Sequence, residues 1–291
     1  MVVDGVLHGF REAKELISLL ADDAVLARAA EAAIADPLET VPEKDLVLRA
    51  PVPVPPSIRD FMAFEEHVVT SMRAIGRDVD PVWYKIPVFY FTNPAAVRGP
   101  KDAVPIAPGS RAFDYEMEIG AVIGQPGSDI PVGEAGKHIG GYTVLCDWSA
   151  RDLQEEEMAQ GLGPAKGKDT ATSLGPYLVT PDELAPRRQG KGFDAAMTTT
   201  VNGKPYSAGN WATIQWSFAQ MISYASRGTQ LRAGDVIGSG TVGTGCILEL
   251  SRVHGAERYP WLRPGDVVRT TVEGLGVIES VVEPGARVNP L

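Results

Sequence analysis

Hydrophobic and polar residues alternate along residues 113–124, "FDYEMEIGAVIG". This period of two predicts a β-strand, in which successive side chains point to opposite faces. Tyr115, Met117 and Ile119 then form a core-facing side, and Glu116 and Glu118 share the other side. The pattern leaves two interpretations of this acidic pair: the carboxylates face water on a half-exposed strand, or they face something positive.

The rest of the chain divides at a proline-rich stretch, "RAPVPVPPSIRD" (49–60), which favours extended backbone and indicates a boundary. Before it, residues 10–36 carry leucine, valine and alanine at helical spacing and predict one or two helices. After it, short runs rich in β-branched residues alternate with glycine and proline turns. We therefore predict a small helical N-terminal appendage over 1–48 and a β-rich α+β domain over 49–291.

Local patterns give finer expectations inside the β-rich part. Asn202 and Gly203 in "VNGKPY" predict the turn of a β-hairpin. Helices are predicted near 149–160 and 211–226, and "CILELS" (246–251) is predicted to be a strand. Because a strand is expected there, the glycine-rich run "GSGTVGTG" (238–245) is not interpreted as a dinucleotide-binding loop, which would have to open a helix.

Composition narrows the possible partners and the location. The 291 residues carry a net charge of −10, which disfavours binding to nucleic acids or to anionic membranes. No apolar run reaches 18 residues and the first residues lack a signal-peptide pattern, so neither a membrane span nor secretion is expected. The two cysteines, Cys146 and Cys246, predict no disulfide framework and suit a reducing cytoplasm.

A second group of polar residues follows the apolar run "YTVLC". Asp147, Arg151 and Gln154 are spaced i, i+4 and i+7, which would place them on one face of a helix. In isolation, Asp147 is better explained as a helix N-cap. Combined with Glu116 and Glu118, its carboxylate completes a set of hard oxygen donors, which suits Mg²⁺, Mn²⁺ or Ca²⁺ better than zinc.

Two more residues are candidates for chemistry. His67 lies seven residues after Asp60 and could act as a general base at neutral pH if it lies near a site, although a lone histidine is more often structural. Lys168 lies in the glycine-rich segment "GLGPAKGKDTATSLGP", whose glycines allow a lysine to approach a ligand closely. The alternative for Lys168 is a solvated loop lysine.

Taken in order, "YEMEIGAVIG", "GYTVLCDWSARDLQ", "GPAKGKDTATSLGP" and "GSGTVG" resemble the fumarylacetoacetate hydrolase family over roughly residues 50–291. The resemblance implies a mixed β-sandwich roll, a homodimer, and a divalent cation (Mg²⁺, Mn²⁺ or Ca²⁺) held by carboxylates. The residues that it matches are, for the metal, Glu116, Glu118, Asp147 and Asp60; for the water-activating pair, His67 and Glu249; for oxyanion stabilisation, Arg151, Gln154 and Lys168; for the metal-side loop, Thr172; and for substrate contacts, Tyr90, Thr241 and, by a loose alignment, Arg77.

This resemblance implies a hydrolase that cleaves a C–C bond in a 1,3-diketone or acylpyruvate, with His67 activating water and the enolate leaving group held at the cation. The partner is then a small keto acid or diketone. Two alternatives stay open: an isomerase, hydratase or decarboxylase acting on an oxo acid, or a non-catalytic protein of the same fold. Thr70 stands where isomerase-type relatives often carry a glutamate, which favours the hydrolase. Met62, Met158 and Asn93 replace polar or cationic family residues and predict a less charged or bulkier acyl tail.

Overall fold

The computed structural model describes the chain except for residues 12–14, 21, 75 and 291. The α-helices of the described residues are α1 (Leu16–Leu20), α2 (Asp23–Ala35), α3 (Glu65–Ala74), α4 (Arg151–Met158), α5 (Pro181–Leu184), α6 (Phe218–Ala225) and α7 (Ile247–His254). The strands are β1 (Val2–Val3), β2 (Val6–His8), β3 (Thr40–Pro42), β4 (Ile58–Phe61), β5 (Phe89–Thr92), β6 (Val97–Arg98), β7 (Val104–Pro105), β8 (Phe113–Ile123), β9 (Gly127–Ser128), β10 (Ile139–Ala150), β11 (Thr172–Val179), β12 (Arg188–Gln189), β13 (Gly192–Phe193), β14 (Ala196–Val201), β15 (Lys204–Asn210), β16 (Gln230–Leu231), β17 (Val236–Gly238), β18 (Val267–Val272) and β19 (Gly276–Glu283).

Two mixed sheets form the body of the fold. The larger one has the strand order β5-β4-β17-β8-β10-β11-β6, with the long antiparallel pair of β8 and β10 near its centre. The smaller one has the order β15-β14-β18-β19-β7. This architecture confirms the predicted β-rich α+β fold, a mixed β-sandwich roll with few helices.

The apolar side of β8 faces the smaller sheet, as its alternation predicts. Tyr115 and Met117 are fully buried, and their polar atoms reach that sheet: the Tyr115 hydroxyl lies 2.6 Å from Ser207 Oγ, and Thr199 Oγ1 donates to Met117 Sδ. Every residue of β8 is buried, so its opposite face is covered as well. Burial on both faces is unusual for a strand with alternating polarity, which normally keeps its polar side wet.

The N-terminal segment covers one end of that opposite face. Leu20 at the end of α1 packs with Val122, Leu145, Leu174 and Val236 in a small apolar cluster. The close approach requires glycine at position 124, because a Cβ there would lie 2.5 Å from the backbone oxygen of Leu20. The two helices agree with the prediction for residues 10–36, as far as that segment lies within the described residues. The small sheet β1-β2-β3 in the same segment was not predicted.

The predicted hairpin is confirmed. β14 and β15 pair around Asn202 and Gly203, whose φ angles are 52° and 76°. Two successive positive φ values define the type I′ turn that suits the twist of a two-residue hairpin.

One local prediction is wrong, and the bounds of two predicted helices shift. "CILELS" is not a strand: α7 begins at Ile247, because the backbone N–H groups of Ile247 and Leu248 donate to the Asp114 carboxylate. A helix therefore does follow the 238–245 run, and the argument used against a dinucleotide loop fails. The helix expected from 149 begins at Arg151, because β10 pairs with β8 as far as Ala150. Near 211–226, a 3₁₀ turn at Trp211–Thr213 precedes α6.

None of the helices in the described part of the chain combines the length and the apolar character that a membrane span requires.

Candidate metal centre and active site

Four buried carboxylates converge on the polar face of the larger sheet. Glu116 and Glu118 lie on β8, and Asp147 on β10 lies directly opposite Glu116. Asp60 joins them because β17 pairs with both β4 and β8. One oxygen from each of the four side chains lies within 4.8 Å of the others, and none of the four residues is more than 6% exposed. The interpretation of Glu116 and Glu118 as water-facing acids is therefore wrong.

Two cations share this face. The Lys168 ammonium donates to Asp147 Oδ2 at 2.6 Å and also to Glu116. The Arg151 guanidinium donates to Glu116 Oε1 at 2.7 Å and to Asp114 Oδ2 at 2.8 Å. Lys168 is only 3% exposed, so it is not a solvated loop lysine. Counting Asp114, five carboxylates face two cations, which leaves three negative charges in excess if all of the groups are ionised.

Burial and charge separate the pKa values of these acids. Burial raises the pKa of Asp147 to about 7, although Lys168 acts in the opposite direction. Burial, with the charges of Asp60 and Glu116, raises the pKa of Glu118 well above its usual value. Burial opposes ionisation of Glu116 too, but Arg151 and Lys168 outweigh it and hold the pKa of that carboxyl far below its usual range. These shifts favour a proton on Glu118 and partial protonation of Asp147 at neutral pH, and a divalent cation would displace these protons.

The donor set fits a hard divalent cation. Glu118 Oε1, Asp147 Oδ1 and Thr172 Oγ1 are buried oxygen atoms with no hydrogen-bond partner among the described residues. Thr172 lies opposite Asp147 on β11, so the two side chains share a face. Buried polar atoms are normally satisfied, and oxygen ligands are those that Mg²⁺, Mn²⁺ and Ca²⁺ prefer. Asp60, Glu116, Glu118 and Asp147 are the residues that could hold such an ion.

The 238–245 loop closes one side of the cluster. The backbone N–H of Gly240 donates to Glu118 Oε2 at 3.0 Å and to Asp60 Oδ1 at 3.2 Å. Glycine is required there, since its φ is 74° and a Cβ would lie 2.3 Å from the backbone oxygen of Phe61. Thr241 follows in the same loop and is 2% exposed.

Strand β5 fixes the loop that carries Lys168. The Tyr90 hydroxyl donates to Asp147 Oδ2 at 2.6 Å and lies 3.3 Å from Asp60 Oδ2. Thr92 Oγ1 donates to the backbone oxygen of Lys168, and Asn93 Nδ2 donates to that of Asp169. Tyr90, predicted to contact substrate, therefore contacts the carboxylate cluster itself.

His67 and Glu249 form a buried pair beside the carboxylates. His67 Nδ1 lies 2.9 Å from Glu249 Oε2, with His67 on α3 and Glu249 in the first turn of α7. Cys246, whose Sγ lies 3.6 Å from Glu249 Oε2, forms a β-bridge with Glu116, which places the pair near the cluster. Bonding of Nδ1 to a carboxylate favours the tautomer in which Nε2 can accept a proton.

Asp114 is a site residue to which the sequence assigned no role. Its carboxylate accepts from Arg151 and from the first two backbone N–H groups of α7. Helix N-termini leave such N–H groups without an intrahelical partner and favour a negative charge. Asp114 therefore joins the carboxylate cluster to the helix that carries Glu249. The available signal was its position two residues before Glu116, on the same face of the strand.

The other predicted residues Asp147, Gln154 and Arg77 lie on a strand, on a helix and on a loop, respectively. Asp147 is neither an N-cap nor part of a helix face, because it lies inside β10. Gln154 on α4 accepts from Arg151 Nη1 at 3.0 Å, so it supports the arginine. Arg77 lies on the exposed loop after α3, and the structure does not place its side chain in the cluster.

The site combines buried carboxylates that have unsatisfied oxygens with a lysine and a histidine–glutamate pair. This combination suits acid–base chemistry assisted by a divalent cation. The chain belongs to the fumarylacetoacetate hydrolase family, because the model of the fumarylacetoacetate (FAA) hydrolase C-terminal domain matches residues 57–283.

Three similar proteins illustrate the range of the family. A Burkholderia multivorans protein named "Putative hydrolase" is 36% identical over 193 residues, which cover 66% of this chain and 64% of that protein. A probable 2-hydroxyhepta-2,4-diene-1,7-dioate isomerase from Mycobacterium abscessus superposes with a TM-score of 0.71 at 28% identity, covering 94% of this chain and 89% of that one. Fumarylacetoacetate hydrolase from Exiguobacterium antarcticum superposes with a TM-score of 0.69 at 26% identity, covering 93% and 88%. The match spans less than two thirds of the length of the Burkholderia protein.

Proposed function

We propose that the protein is a divalent-cation-dependent hydrolase that cleaves a C–C bond in a 1,3-diketone or an acylpyruvate. The observation that carries this proposal is the buried His67–Glu249 pair, with Nδ1 and Oε2 2.9 Å apart, beside four convergent carboxylates. Hydrolysis needs an activated water as well as a cation, and this pair supplies the base. The homodimer remains a prediction from the resemblance, and the cytoplasmic location remains a prediction from the cysteine content.

His67 is the general base in this proposal. Its Nδ1–H donates to Glu249, so Nε2 takes the proton of a water molecule as the water oxygen attacks the substrate carbonyl carbon. The C–C bond then breaks and leaves its electron pair on the departing carbon. The imidazolium returns its proton to that carbon, which gives two smaller fragments. Glu249 holds the imidazole orientation and stabilises the transient imidazolium, since both side chains are buried.

The surrounding residues orient the cluster and offset its charge. When bound, the divalent cation supplies Lewis-acid polarisation of the dicarbonyl. Arg151 holds Glu116 in place, and Gln154 holds Arg151. Lys168 and Tyr90 place an ammonium and a hydroxyl against Asp147, where they can turn toward developing negative charge on a substrate oxygen.

The substrate tail is expected to be weakly charged. Asn93, one of the three residues that depart from the family pattern, has both ends of its amide committed to the protein: Nδ2 donates to Asp169, and Oδ1 accepts from the backbone of Ala95. Asn93 carries no positive charge, and its amide is not available to bind a carboxylate tail. Met62 and Met158 likewise offer thioethers, which contribute packing and no charge.

Product analysis tests the proposal. The purified protein is incubated with Mg²⁺ or Mn²⁺ and a panel of acylpyruvates that differ in whether the acyl tail ends in a carboxylate, and the products are identified by mass. We expect two fragments whose masses sum to substrate plus water, formed faster from uncharged tails. A strong preference for carboxylate tails would refute the tail assignment, and absence of fragments across the panel would refute the hydrolase.

The His67→Asn variant separates the base from the cation site. It removes the proton acceptor and keeps a polar side chain of smaller volume, so fragment formation should stop while binding of Mn²⁺ is retained. Continued hydrolysis would show that His67 is not the base.

Isomerisation of a hydroxydienoate acid is the second candidate, favoured by the likeness to the Mycobacterium abscessus protein described as an isomerase. It would need the cation and an acid–base group and no nucleophilic water. The same incubation distinguishes the two, because isomerisation leaves the mass unchanged and shifts the absorbance, and decarboxylation would release CO₂.

A further inference from the structure

A second cluster of metal-ligating side chains lies next to the carboxylates. His67, Cys246 and Glu249 each offer one ligand atom, and these atoms lie within 4.8 Å of one another. Glu249 Oε2 is 2.9 Å from His67 Nδ1 and 3.6 Å from Cys246 Sγ. The three residues are 8%, 0% and 2% exposed, respectively.

One atom of this cluster has no partner. Glu249 Oε1 is buried and makes no hydrogen bond among the described residues, although Oε2 of the same carboxylate has two partners. A buried carboxylate oxygen without a donor normally signals a ligand, an ion or a water molecule. Within the described residues, the Glu249 carboxylate therefore keeps one oxygen available for a ligand, and its other oxygen lies beside an imidazole nitrogen and a thiol.

The donor atoms select a different metal from the carboxylate cluster. Nitrogen, sulfur and oxygen together suit Zn²⁺ and similar thiophilic ions, whereas four oxygens suit Mg²⁺, Mn²⁺ or Ca²⁺. Around a tetrahedral Zn²⁺, a sulfur and an oxygen ligand stand ~3.6 Å apart, which equals the distance between Cys246 Sγ and Glu249 Oε2. A nitrogen and an oxygen ligand stand ~3.4 Å apart, so the histidine and the glutamate would have to separate by about 0.5 Å.

We propose that His67, Cys246 and Glu249 form a soft-metal site whose occupation by Zn²⁺ or Cd²⁺ inhibits the enzyme. On binding, the thiol releases its proton to solvent and the ion takes the place of the Nδ1 proton, which moves to Nε2. His67 then has no free nitrogen to accept a proton from water. The inhibitory part of this proposal rests on the proposed role of His67, whereas the existence of the site does not.

A spectroscopic titration tests the site without any substrate. Cd²⁺ is added to the protein in excess Mg²⁺, which occupies the oxygen cluster, and the ultraviolet charge-transfer band of a Cd²⁺–thiolate bond is followed. We expect the band to saturate at one Cd²⁺ per chain. Cys246→Ala should lose the band, and Cys246→Ser, which keeps the side-chain volume closer to that of cysteine, should lose it as well.

Cys146 provides the matched control. It is the other free cysteine, is equally buried, and packs in the main apolar core. Cys146→Ala should keep the full band. No band in the unsubstituted protein, or a full band in a folded Cys246→Ala variant, would overturn the site, with folding verified by circular dichroism.

Inhibition is then measured on any substrate that the protein turns over. Each variant is compared with its own rate in Mg²⁺ alone, and the Zn²⁺ concentration for half inhibition should rise by about tenfold or more in Cys246→Ala, since a lost metal ligand costs at least as much affinity as a lost supporting contact. Equal sensitivity would overturn the inhibitory role. If no substrate is turned over, the proposed function fails, and the Cd²⁺ band still decides whether the site exists.

Discussion

The two ends of one face of β8 are equally buried and chemically opposite. Glu116 and Glu118 lie at one end, where Glu116 contacts Lys168 and Arg151. Gly120 and Val122 lie at the other end, where Leu20 and its apolar neighbours cover them. Both ends are buried, yet one holds charges that must be balanced and the other is lined mainly by apolar side chains. Polarity within a fully buried face therefore marks the functional site more clearly than burial does.

The polar end carries a large electrostatic cost in the cation-free protein. Burying a carboxylate is unfavourable unless it is paired, and five carboxylates here share two cations. Protonation of Asp147 and Glu118 removes part of this buried charge, as their raised pKa values indicate. A bound divalent cation would neutralise the rest. The apolar end needs no such compensation, so the two ends should respond oppositely to substitution and to added metal.

Removal of Arg151 should have the largest effect on stability. Arg151→Met leaves Asp114 and Glu116 buried without their guanidinium partner, and breaking a buried pair of this kind costs about 3–5 kcal/mol. Urea unfolding measures the loss. The control is Arg269→Met, which breaks a half-exposed pair with Glu279 and should change the free energy of unfolding by less than about 0.5 kcal/mol. Equal effects of the two variants would contradict the importance assigned to the buried network.

Glu118→Gln should abolish tight cation binding with little loss of fold stability. It removes a carboxylate ligand and keeps a neutral side chain of the same shape, as protonated Glu118 is in the cation-free protein. We therefore expect Mn²⁺ affinity to fall by at least about a hundredfold, the upper range for loss of a merely supporting group. Isothermal titration calorimetry measures the affinity. Unchanged binding would exclude Glu118 as a ligand.

Val122→Ala is the matched change at the apolar end of the same face, four residues along the strand. It should lower the free energy of unfolding by about 2 kcal/mol through lost packing and a residual cavity. Mn²⁺ affinity should stay within experimental error of the unsubstituted value. A parallel loss of cation binding would mean that the two ends of the face are coupled.

The smallest effect should be a pH dependence of cation affinity. Because the pKa of Asp147 is raised to about 7 in the folded protein, its proton must leave before a cation binds. Affinity should therefore fall by at least about tenfold for each pH unit below 7, and displacement of the proton on Glu118 adds to this slope. Calorimetry between pH 5.5 and pH 8.5, at about constant ionic strength, gives the slope. A flat profile would show that Asp147 is ionised without the cation.

The raised pKa of Asp147 also makes the folding stability of the cation-free protein depend on pH. A carboxyl whose pKa is raised in the folded state holds more protons there than in the unfolded chain between about pH 4 and pH 7. Its contribution to stability is therefore present at low pH and is lost as the pH rises toward 7. A bound cation should reverse this loss, because it takes the place of the proton.

The local sequence pattern was sufficient to predict those strands and turns that neighbouring residues determine. The period-two alternation of β8 and the Asn202–Gly203 turn both depend on neighbouring residues, and both are confirmed. The start of α7 depends on Asp114, which lies more than a hundred residues earlier in the chain, and so "CILELS" was assigned the wrong structure. Asp147 was likewise placed on a helix because its pairing with Glu116 across β10 and β8 is not visible in the local sequence.

For the site as well, local motifs could be found in the sequence and distant contacts could not. The acids and Lys168 could be named from motifs, and the structure brings them together. The links from Asp114 to α7 and from Thr92 to the backbone of Lys168 could not be named, since they are tertiary contacts. The contacts of Gln154 with Arg151 and of Cys246 with Glu249 join residues three apart in the chain, so the local spacing did carry a signal for them.

The central claim is that the polar end of this face binds one divalent cation through its carboxylates. Anomalous scattering from a crystal grown with Mn²⁺ tests it most directly. The account predicts one peak per chain at ~2.1–2.2 Å from carboxylate oxygens drawn from Asp60, Glu116, Glu118 and Asp147. A structure in which Mn²⁺ is absent from these oxygens, or bound only elsewhere, would contradict it.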